Sequence, residues 1–207
     1  MGTSMALLVH AGQGRWQSLR HLFVVPMVLP PIVVAVIWKL IYTPDISPIY
    51  QAAKAIGIVL PSLTTHVDFA LWAIVIADTW EWAPFTFLMV LAALQTLPSE
   101  YVEAARMDGA DALGVFGHIV LPYIAPVILV CTLFRVIDSI KAFPLIFLLT
   151  GGGPGSVTEV TNYYAYLVAF NFGELGYSSA ITVVLLSLTV LISWAAMRAS
   201  HNNHSIE

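Results

Sequence analysis

The sequence predicts an all-α membrane protein, a bundle of helices that cross a bilayer several times. Its high hydrophobic content, its low charge and the length of its apolar stretches support this prediction. Of the 207 residues, 59% are hydrophobic and 10% are charged, and the mean hydropathy is +0.86. A soluble domain carries about 25% charged residues, so a water-soluble protein of this size could not cover its surface. The pattern is a series of apolar stretches of about 20 residues, the length that a membrane-spanning helix needs.

Charge and cysteine content exclude several other classes of protein. The net charge is −4, and the eight Lys and Arg residues form no basic run, so no nucleic acid or other polyanion is expected as a partner. The single cysteine, Cys131, lies in an apolar stretch and cannot form an internal disulfide. The six histidines lack the spacing that is typical of zinc sites, and no metal site is expected.

Four stretches qualify as membrane spans because each is long and predominantly apolar. They cover residues 22–42, 69–97, 121–149 and 177–197. The second and third stretches are longer than one straight crossing requires, so tilted, kinked or re-entrant helices are expected there. All four spans are expected to belong to one transmembrane domain that takes in the whole chain, residues 1–207.

Basic residues predict the orientation, because cytoplasmic loops of membrane proteins carry an excess of Lys and Arg. Lys54 lies on one side of the predicted spans, and four arginines lie on the other: Arg15, Arg20, Arg106 and Arg198. The segment 98–120 and the carboxyl terminus are therefore expected in the cytoplasm. The segment 150–176 is expected outside.

A short amphipathic helix is predicted directly after the second span. Pro98 ends the preceding helix, and Ser99 is expected to cap the next one. Glu100 and Glu103 then lie near the positive end of the helix dipole. Gly109 allows the helix to end or to approach another backbone closely. Because the helix has few basic residues, anionic lipid is a poor partner, and docking into a groove of another protein is favoured.

This helix begins a pattern of seven residues at fixed spacing: Glu103, Ala104, Ala105, Gly109, Ile119, Leu121 and Pro122. The pattern resembles the EAA loop of ABC-importer permeases, and the resemblance covers the chain from about Gln13 to Met197. A second match is the Gly-rich run 150–155, followed by Glu159 and an aromatic run. It resembles the permeases of carbohydrate importers of the maltose, trehalose and glycerol-3-phosphate group.

The resemblance implies a polytopic bundle of the MetI-like permease type, with a cytoplasmic EAA coupling helix, in a bacterial or archaeal cytoplasmic membrane. It also implies partners: a second, homologous permease, an extracytoplasmic solute-binding protein that delivers a sugar or sugar-like solute, and a dimer of ABC ATPase subunits that docks on the EAA loop. ATP and Mg²⁺ would bind those ATPase subunits. This chain would then hold no cofactor and would not be an enzyme.

The residues that the resemblance assigns to coupling are Glu103, Ala104, Ala105, Gly109, Leu121 and Pro122. The small alanines would allow a close fit to the ATPase, Glu103 could pair with a basic residue there, and Gly109 would supply the turn. Family members have at least one further span before this region. Residues 1–9 would be the later part of such a span, so the chain is expected to be truncated at its amino end or to start at an internal Met.

A candidate solute path lies on the second span. Asp78, Glu81, Trp82 and Phe85 are spaced i, i+3, i+4 and i+7 and therefore share one helical face. Carboxylates accept hydrogen bonds from sugar hydroxyls, and aromatic rings cover the apolar face of a sugar. The alternative is that Asp78 and Glu81 pair with basic residues of neighbouring helices, since buried charges are normally paired.

The charged residues on the third span have two possible roles, an ion pair along the helix or contact with solute. Arg135 and Asp138 are three residues apart and can form an ion pair along the helix, which is the favoured reading. Asp138 also lies near the depth at which the resembling family contacts solute, so it is a further candidate for the solute path. Tyr163, Tyr164 and Tyr166 are expected to pack at the outer membrane interface.

Three other functions remain as alternatives. An ion-coupled secondary transporter or channel would use Asp78, Glu81 and Asp138 as a relay for protons or cations, but it leaves the EAA pattern unexplained. A membrane-embedded enzyme would need a nucleophile or metal beside the Asp78 and Glu81 carboxylates. No ATP-binding or nucleophile-elbow motif is present, so no catalytic residue is predicted. An importer of amino acids, polyamines or ions is the third alternative.

Overall fold

The computed structural model describes residues 1–12 and 19–203, and within these ranges the chain is helical and contains no strand. The elements in chain order are α1 (Gly2–Ala11), α2 (Leu19–Val28), α3 (Pro31–Tyr42), α4 (Pro48–Ala55), α5 (Val67–Thr96), α6 (Ser99–Met107), α7 (Ala112–Val115), a π-turn (Phe116–Val120), α8 (Leu121–Ile140), α9 (Pro144–Leu149), α10 (Thr161–Phe170) and α11 (Leu175–Asn203). The predicted all-α class is confirmed.

Three stretches of the described chain are helical, long and apolar enough to cross a membrane. They are Val67–Thr96, Ala112–Ile140 and Leu175–Arg198. The pair His21–Val28 and Pro31–Tyr42 meets the same criteria when the two helices are taken together as one broken span. Several apolar helices of this length identify a polytopic membrane protein.

Two of the predicted spans are interrupted by proline. Residues 22–42 form α2 and α3, which are separated by Leu29 and Pro30. Residues 121–149 also form two helices, because α8 ends at Ile140 and Pro144 begins α9. A proline disfavours helical geometry in the residue before it, and Phe143 accordingly has φ −142° and ψ −55°. The third predicted stretch is thus helical in two pieces, α8 and α9.

Helical structure also begins before the predicted start of the third stretch. The helix that contains α8 starts at Ala112, nine residues before the predicted boundary, within the segment expected as a loop. Hydropathy alone placed the boundary at residue 121, because the polar and small residues before it lower the local average. The turns between Ala112 and Val120 are nevertheless helical, and they join α8 through the π-turn.

The chain forms two compact units, which we call unit 1 and unit 2. Among the described residues, unit 1 contains those of Met1–Met27, Trp82–Arg135 and Arg198–Glu207, and unit 2 contains Val28–Glu81 and Val136–Met197. The long helix α5 therefore contributes its first half to unit 2 and its second half to unit 1.

The core of unit 1 joins α1, α5 and α8. Its buried members are Ala6, Phe87, Val90, Leu91, Leu94 and Ile124. At Gly2, an added Cβ would lie 2.5 Å from the backbone oxygen of Ala83. Since a backbone atom cannot move aside as a side chain can, glycine at this position is what allows α1 to lie directly against α5.

The core of unit 2 joins α3, α5, α9 and α10. Its buried members are Val34, Ala35, Tyr42, Ala73, Ile74, Ala77, Leu145, Ile146, Leu149 and Tyr163. The hydroxyl of Tyr42 donates a buried hydrogen bond of 3.0 Å to the Ala73 carbonyl. This bond links α3 to α5 and satisfies a polar group that would be costly to bury alone.

The Gly-rich run 150–155 is packed into unit 2. Gly152 has φ +83°, and an added Cβ would lie 2.7 Å from Cε1 of the Tyr163 ring. The buried hydroxyl of Thr158 donates to the Gly153 carbonyl at 2.8 Å and lies 2.7 Å from the Thr150 hydroxyl. The run therefore has a structural basis: glycine permits both the backbone conformation and the close approach of a tyrosine.

Candidate functional site

The predicted coupling helix is α6, and its surface is open. None of its residues is buried, and Glu103 and Ala104 are exposed. The expected cap at Ser99 is wrong: Pro98 occupies the capping position with φ −62° and ψ 130°, Ser99 is the first helical residue, and no side chain caps the helix. The fixed φ of proline makes Pro98 the extended residue from which the helix starts, so Ser99 falls one position too late to cap it.

The carboxyl end of α6 has a complete Schellman motif. The N–H of Gly109 donates to the Arg106 carbonyl at 3.1 Å, and the N–H of Ala110 donates to the Ala105 carbonyl at 2.9 Å. Gly109 has φ +86°, a left-handed conformation that glycine adopts without the steric cost other residues incur. The turn thus explains why the pattern has glycine at this position: Gly109 ends α6 and redirects the chain into α7.

Two features between α6 and α8 were not predicted. The side chain of Asp111 caps α7 by accepting a hydrogen bond of 2.8 Å from the Gly114 N–H.

The second feature is the π-turn that follows α7, in which the N–H of Leu121 donates to the Phe116 carbonyl, five residues back. The proline at position 122 is the signal that sequence reasoning overlooked, because its ring would clash with the carbonyl four residues earlier in a regular α-helix. A wider turn before Pro122 relieves that clash.

The six predicted coupling residues fall into two groups. Glu103, Ala104 and Ala105 lie in α6 with Gly109 in the turn after it, while Leu121 and Pro122 are exposed at the start of α8. The helix α7 and the π-turn separate the two groups along the chain. The first group thus lies on and just after the exposed helix α6, and the second group lies where the segment enters α8.

The predicted solute-path residues on α5 are divided between the two units, Asp78 and Glu81 in unit 2 and Trp82 and Phe85 in unit 1. Asp78 is partly buried and Glu81 is 3% exposed in unit 2. Trp82 and Phe85 are partly buried in unit 1. Asp138, the further candidate on α8, is partly buried in unit 2. All three carboxylates are thus drawn at least partly into the protein, as ionisable groups in a membrane helix normally are.

The aromatic half of this face belongs to a cluster within unit 1. The Trp82 and Phe85 rings meet edge to face with centroids 6.4 Å apart, and the Phe85 and Phe134 rings do so at 6.0 Å. The guanidinium carbon of Arg135 lies 5.0 Å from the Trp82 ring centroid, which is cation–π distance. The sequence offered no signal for these contacts, because they depend on how α5 packs against α8.

A second aromatic cluster surrounds α9 and α10. It consists of Phe143, Phe147, Tyr163, Tyr166 and Phe170, with neighbouring ring centroids 5.1–6.4 Å apart. Of the tyrosines expected at the outer interface, Tyr163 is buried in the core of unit 2, whereas Tyr164 is exposed.

Across residues 1–12 and 19–203, no three His, Cys, Asp or Glu side chains are grouped closely enough to hold a metal ion.

The long apolar helices define a multi-pass membrane protein with an exposed segment between two of its spans. The chain belongs to the family of binding-protein-dependent transport system inner membrane components, whose model matches residues 1–199. It is therefore a membrane component of the ABC-importer type. Membership in this family favours the importer over the ion-coupled transporter and the membrane-embedded enzyme that the sequence left open.

Curated relatives are similar over nearly the whole chain. The probable ABC transporter permease protein y4oQ of Sinorhizobium fredii is 37% identical over 213 residues, which cover 99% of this chain and 67% of the relative. The trehalose/maltose transport system permease protein MalF of Thermococcus litoralis is 34% identical over 195 residues, covering 92% of this chain and 66% of the relative. The chain thus spans about two thirds of the length of these relatives.

Solved structures share the fold. A bacterial alginate ABC transporter, crystallised in complex with an alginate pentasaccharide-bound periplasmic protein, matches with a TM-score of 0.87 at 20% identity, covering 98% of this chain and 71% of that chain. The MetNI methionine ABC transporter in an inward-facing conformation matches with a TM-score of 0.65 at 18% identity, covering 98% and 85%. At these identities the likeness concerns the fold, which is that of ABC-transporter permeases.

Proposed function

We propose that the chain is the permease subunit of an ATP-driven importer for a sugar or sugar-like solute. The main support for the proposal is the exposure of α6, the helix that contains Glu103-Ala104-Ala105 and ends in the Gly109 turn. In this proposal, a second permease completes the membrane pathway and a solute-binding protein delivers the solute. Two ATPase subunits hydrolyse ATP, and this chain binds no nucleotide.

The geometry of α6 suits docking into a cleft of an ATPase subunit. Ala104 and Ala105 have short side chains, so a partner surface can approach the helix backbone closely. Glu103 is exposed and can pair with a basic residue of the partner. The Schellman turn at Gly109 fixes the direction in which the chain leaves the docked helix. Movement of the ATPase would then pass through α7 and the π-turn into α8.

The proposed solute class rests on the relatives and on the chemistry of α5 and α8. The Thermococcus litoralis relative is a trehalose/maltose permease, and a relative in Agrobacterium fabrum that is 30% identical is a sulfoquinovosyl glycerol permease. Asp78, Glu81 and Asp138 supply acceptors for hydroxyl groups, and Trp82 and Phe85 supply flat apolar surface. We assign these five residues to the solute path, together with residues of the second permease.

The proposed orientation places α6 and the carboxyl terminus in the cytoplasm. The excess of arginine on that side supports it, and a cytoplasmic α6 is required if ATPase subunits dock there. The segment 150–176, with the Gly-rich run, would then face the outside, where the solute-binding protein docks.

A cross-linking and transport experiment tests the proposal. Met107, at the end of α6, is 88% exposed, so Met107→Cys in a Cys131→Ala background should cross-link to the ATPase subunit in membranes. A cysteine at the exposed residue Ser156 serves as the control and should not cross-link to it. The purified complex, reconstituted with its binding protein, should import labelled sugars and not amino acids. Amino-acid import would overturn the solute class, and a Met107→Cys chain that cross-links to no ATPase would overturn the coupling role.

A further inference from the structure

Residues 97–122, which we call the coupling segment, have their two ends joined by one side chain. Thr96 is the last residue of α5, and Tyr123 is the third residue of α8. The Tyr123 hydroxyl donates to the Thr96 carbonyl at 3.1 Å and lies 3.2 Å from the Thr96 hydroxyl oxygen. The Thr96 hydroxyl itself donates to the Ala93 carbonyl at 2.8 Å. Residues 97–122, which contain α6, α7 and the π-turn, are therefore enclosed between two hydrogen-bonded residues.

This polar contact lies at the edge of a packed one. Leu94 and Ile124 belong to the same buried cluster and are 1% and 0% exposed, whereas Tyr123 is 38% exposed. Apolar packing holds α5 and α8 together but is not directional. A hydrogen bond has a preferred length and angle, so the bond between Tyr123 and Thr96 sets how the two helix ends are aligned where the coupling segment begins and ends.

Regular helical hydrogen bonding is interrupted just before Tyr123. The π-turn covers Phe116–Val120, its closing bond runs from the Leu121 N–H to the Phe116 carbonyl, and Pro122 has no N–H to donate. At Gly117 an added Cβ would meet nothing within 4 Å, so this turn is also open. α6 is therefore connected to α8 through a turn that lacks the regular α-helical hydrogen-bond pattern. The Tyr123 hydroxyl provides a second connection beyond that turn.

We propose that Tyr123 and Thr96 form a tie that makes the ends of α5 and α8 move together when an ATPase subunit displaces α6. The inference rests on the proposed coupling role of α6 and adds two positioning residues to it. Without the tie, part of the displacement of α6 would be absorbed by bending of the π-turn and by sliding of α5 against α8. Less of it would then reach the spans. Tyr123 acts in this way without touching solute or nucleotide.

The first test compares hydroxyl deletions in the complete reconstituted importer. Tyr123→Phe keeps the ring and removes the tie, so the ATP hydrolysed per solute imported should rise about two- to tenfold, the range that a single net hydrogen bond allows. Thr96→Ser keeps both oxygen atoms of the tie and should behave as the unmodified chain does. Tyr177→Phe in α11, where Tyr177 is 54% exposed, makes the same chemical change away from the tie and serves as a second control.

The second test measures the alignment of the helices directly. Spin labels at Gln95→Cys and Ala125→Cys, both exposed positions, in a Cys131→Ala background report the distance between the end of α5 and the start of α8 in the assembled complex. The tie predicts one narrow distance that is the same with and without ATP. Tyr123→Phe should broaden the distribution or make it depend on ATP.

The outcomes separate the tie from the proposed function. If the unmodified complex shows solute-stimulated ATP hydrolysis and Tyr123→Phe changes neither the stoichiometry nor the distance, the tie is overturned. A lower yield of complex with unchanged stoichiometry per assembled complex overturns it as well, because the bond would then serve stability alone. If the unmodified complex shows no solute-stimulated hydrolysis, the coupling role of α6 itself fails.

Discussion

The guanidinium carbon of Arg135 lies 5.0 Å from the centroid of the Trp82 ring, so a cation of α8 covers one face of an indole of α5. That face is not open to a sugar in this conformation. Trp82 therefore has two candidate roles, one in holding α5 against α8 within unit 1 and one in contacting solute. The two roles differ in what a truncation should change, and this difference can be measured.

We expect Trp82→Ala and Glu81→Gln to reduce sugar uptake per assembled complex without preventing assembly. Removing a hydrogen bond to a charged acceptor at Glu81 should cost about 1.5–3 kcal/mol, or roughly ten- to a hundredfold in affinity. Trp72→Ala is a matched control for Trp82→Ala, because Trp72 lies on the same helix and is 63% exposed. Assembly yield and uptake per complex are measured separately. A poor yield with normal uptake per complex would assign these residues to helix packing alone.

Substitutions of Gly109 test the turn at the end of α6. Because Gly109 has φ +86° and a Cβ there would meet nothing within 4 Å, Gly109→Ala should be costly for its backbone conformation alone, by about 1 kcal/mol. Gly109→Asn should cost less, since asparagine is enriched in this conformation. Solute-stimulated ATPase activity should therefore fall in the order Gly, Asn, Ala. Equal activity of the Ala and Gly forms would contradict a role for the turn in coupling.

The Gly-rich run offers a prediction about stability. Gly152 and Gly155 both have positive φ, at +83° and +61°, but only at Gly152 would an added Cβ come within 4 Å of another group, 2.7 Å from the Tyr163 ring. Gly152→Ala should therefore carry the backbone cost and an overpacking cost of about 1–3 kcal/mol, whereas Gly155→Ala carries the first alone. Thermal unfolding of the solubilised chain should show a larger loss for Gly152→Ala. Equal losses would mean that Tyr163 moves aside freely.

The orientation can be tested by labelling with an impermeant thiol reagent on intact cells. Ser156 is exposed in the segment expected outside, and Leu113 is 78% exposed in the coupling segment. In a Cys131→Ala background, Ser156→Cys should react in intact cells, and Leu113→Cys should react only after the cells are permeabilised. The reverse labelling pattern would show that the orientation is opposite to the one proposed.

Local features of this chain could be predicted from its sequence. The apolar stretches predicted that the protein crosses a membrane. The helix α6 and the turn after it were predicted from Pro98, the acidic residues of the first turn and Gly109, which lie close together in the chain. Such signals act through neighbours in the chain, so no knowledge of packing is needed to read them. The start of α6 was misplaced by one residue, because Pro98 rather than Ser99 takes the capping position.

Features that depend on contacts between distant residues could not be predicted. The contact of Arg135 with Trp82, the bond of Tyr123 with Thr96 and the burial of Tyr163 each require the pairing of two helices. Periodicity places a residue on a face of its own helix but does not say which helix that face meets. The break before Pro144 did have a local signal, and a kinked or re-entrant helix was expected in residues 121–149; the residue at which α8 ends was not predicted.

Reversing the charge of Glu103 shows whether α6 couples this permease to an ATPase. Solute-stimulated ATP hydrolysis is measured in the reconstituted complex for Glu103→Lys and for Glu100→Lys, which makes the same charge change one turn earlier on the same exposed helix. We predict that Glu103→Lys abolishes the stimulation while the complex still assembles, and that Glu100→Lys retains most of it. Full stimulation and transport in the Glu103→Lys complex would mean that α6 does not couple the permease to the ATPase.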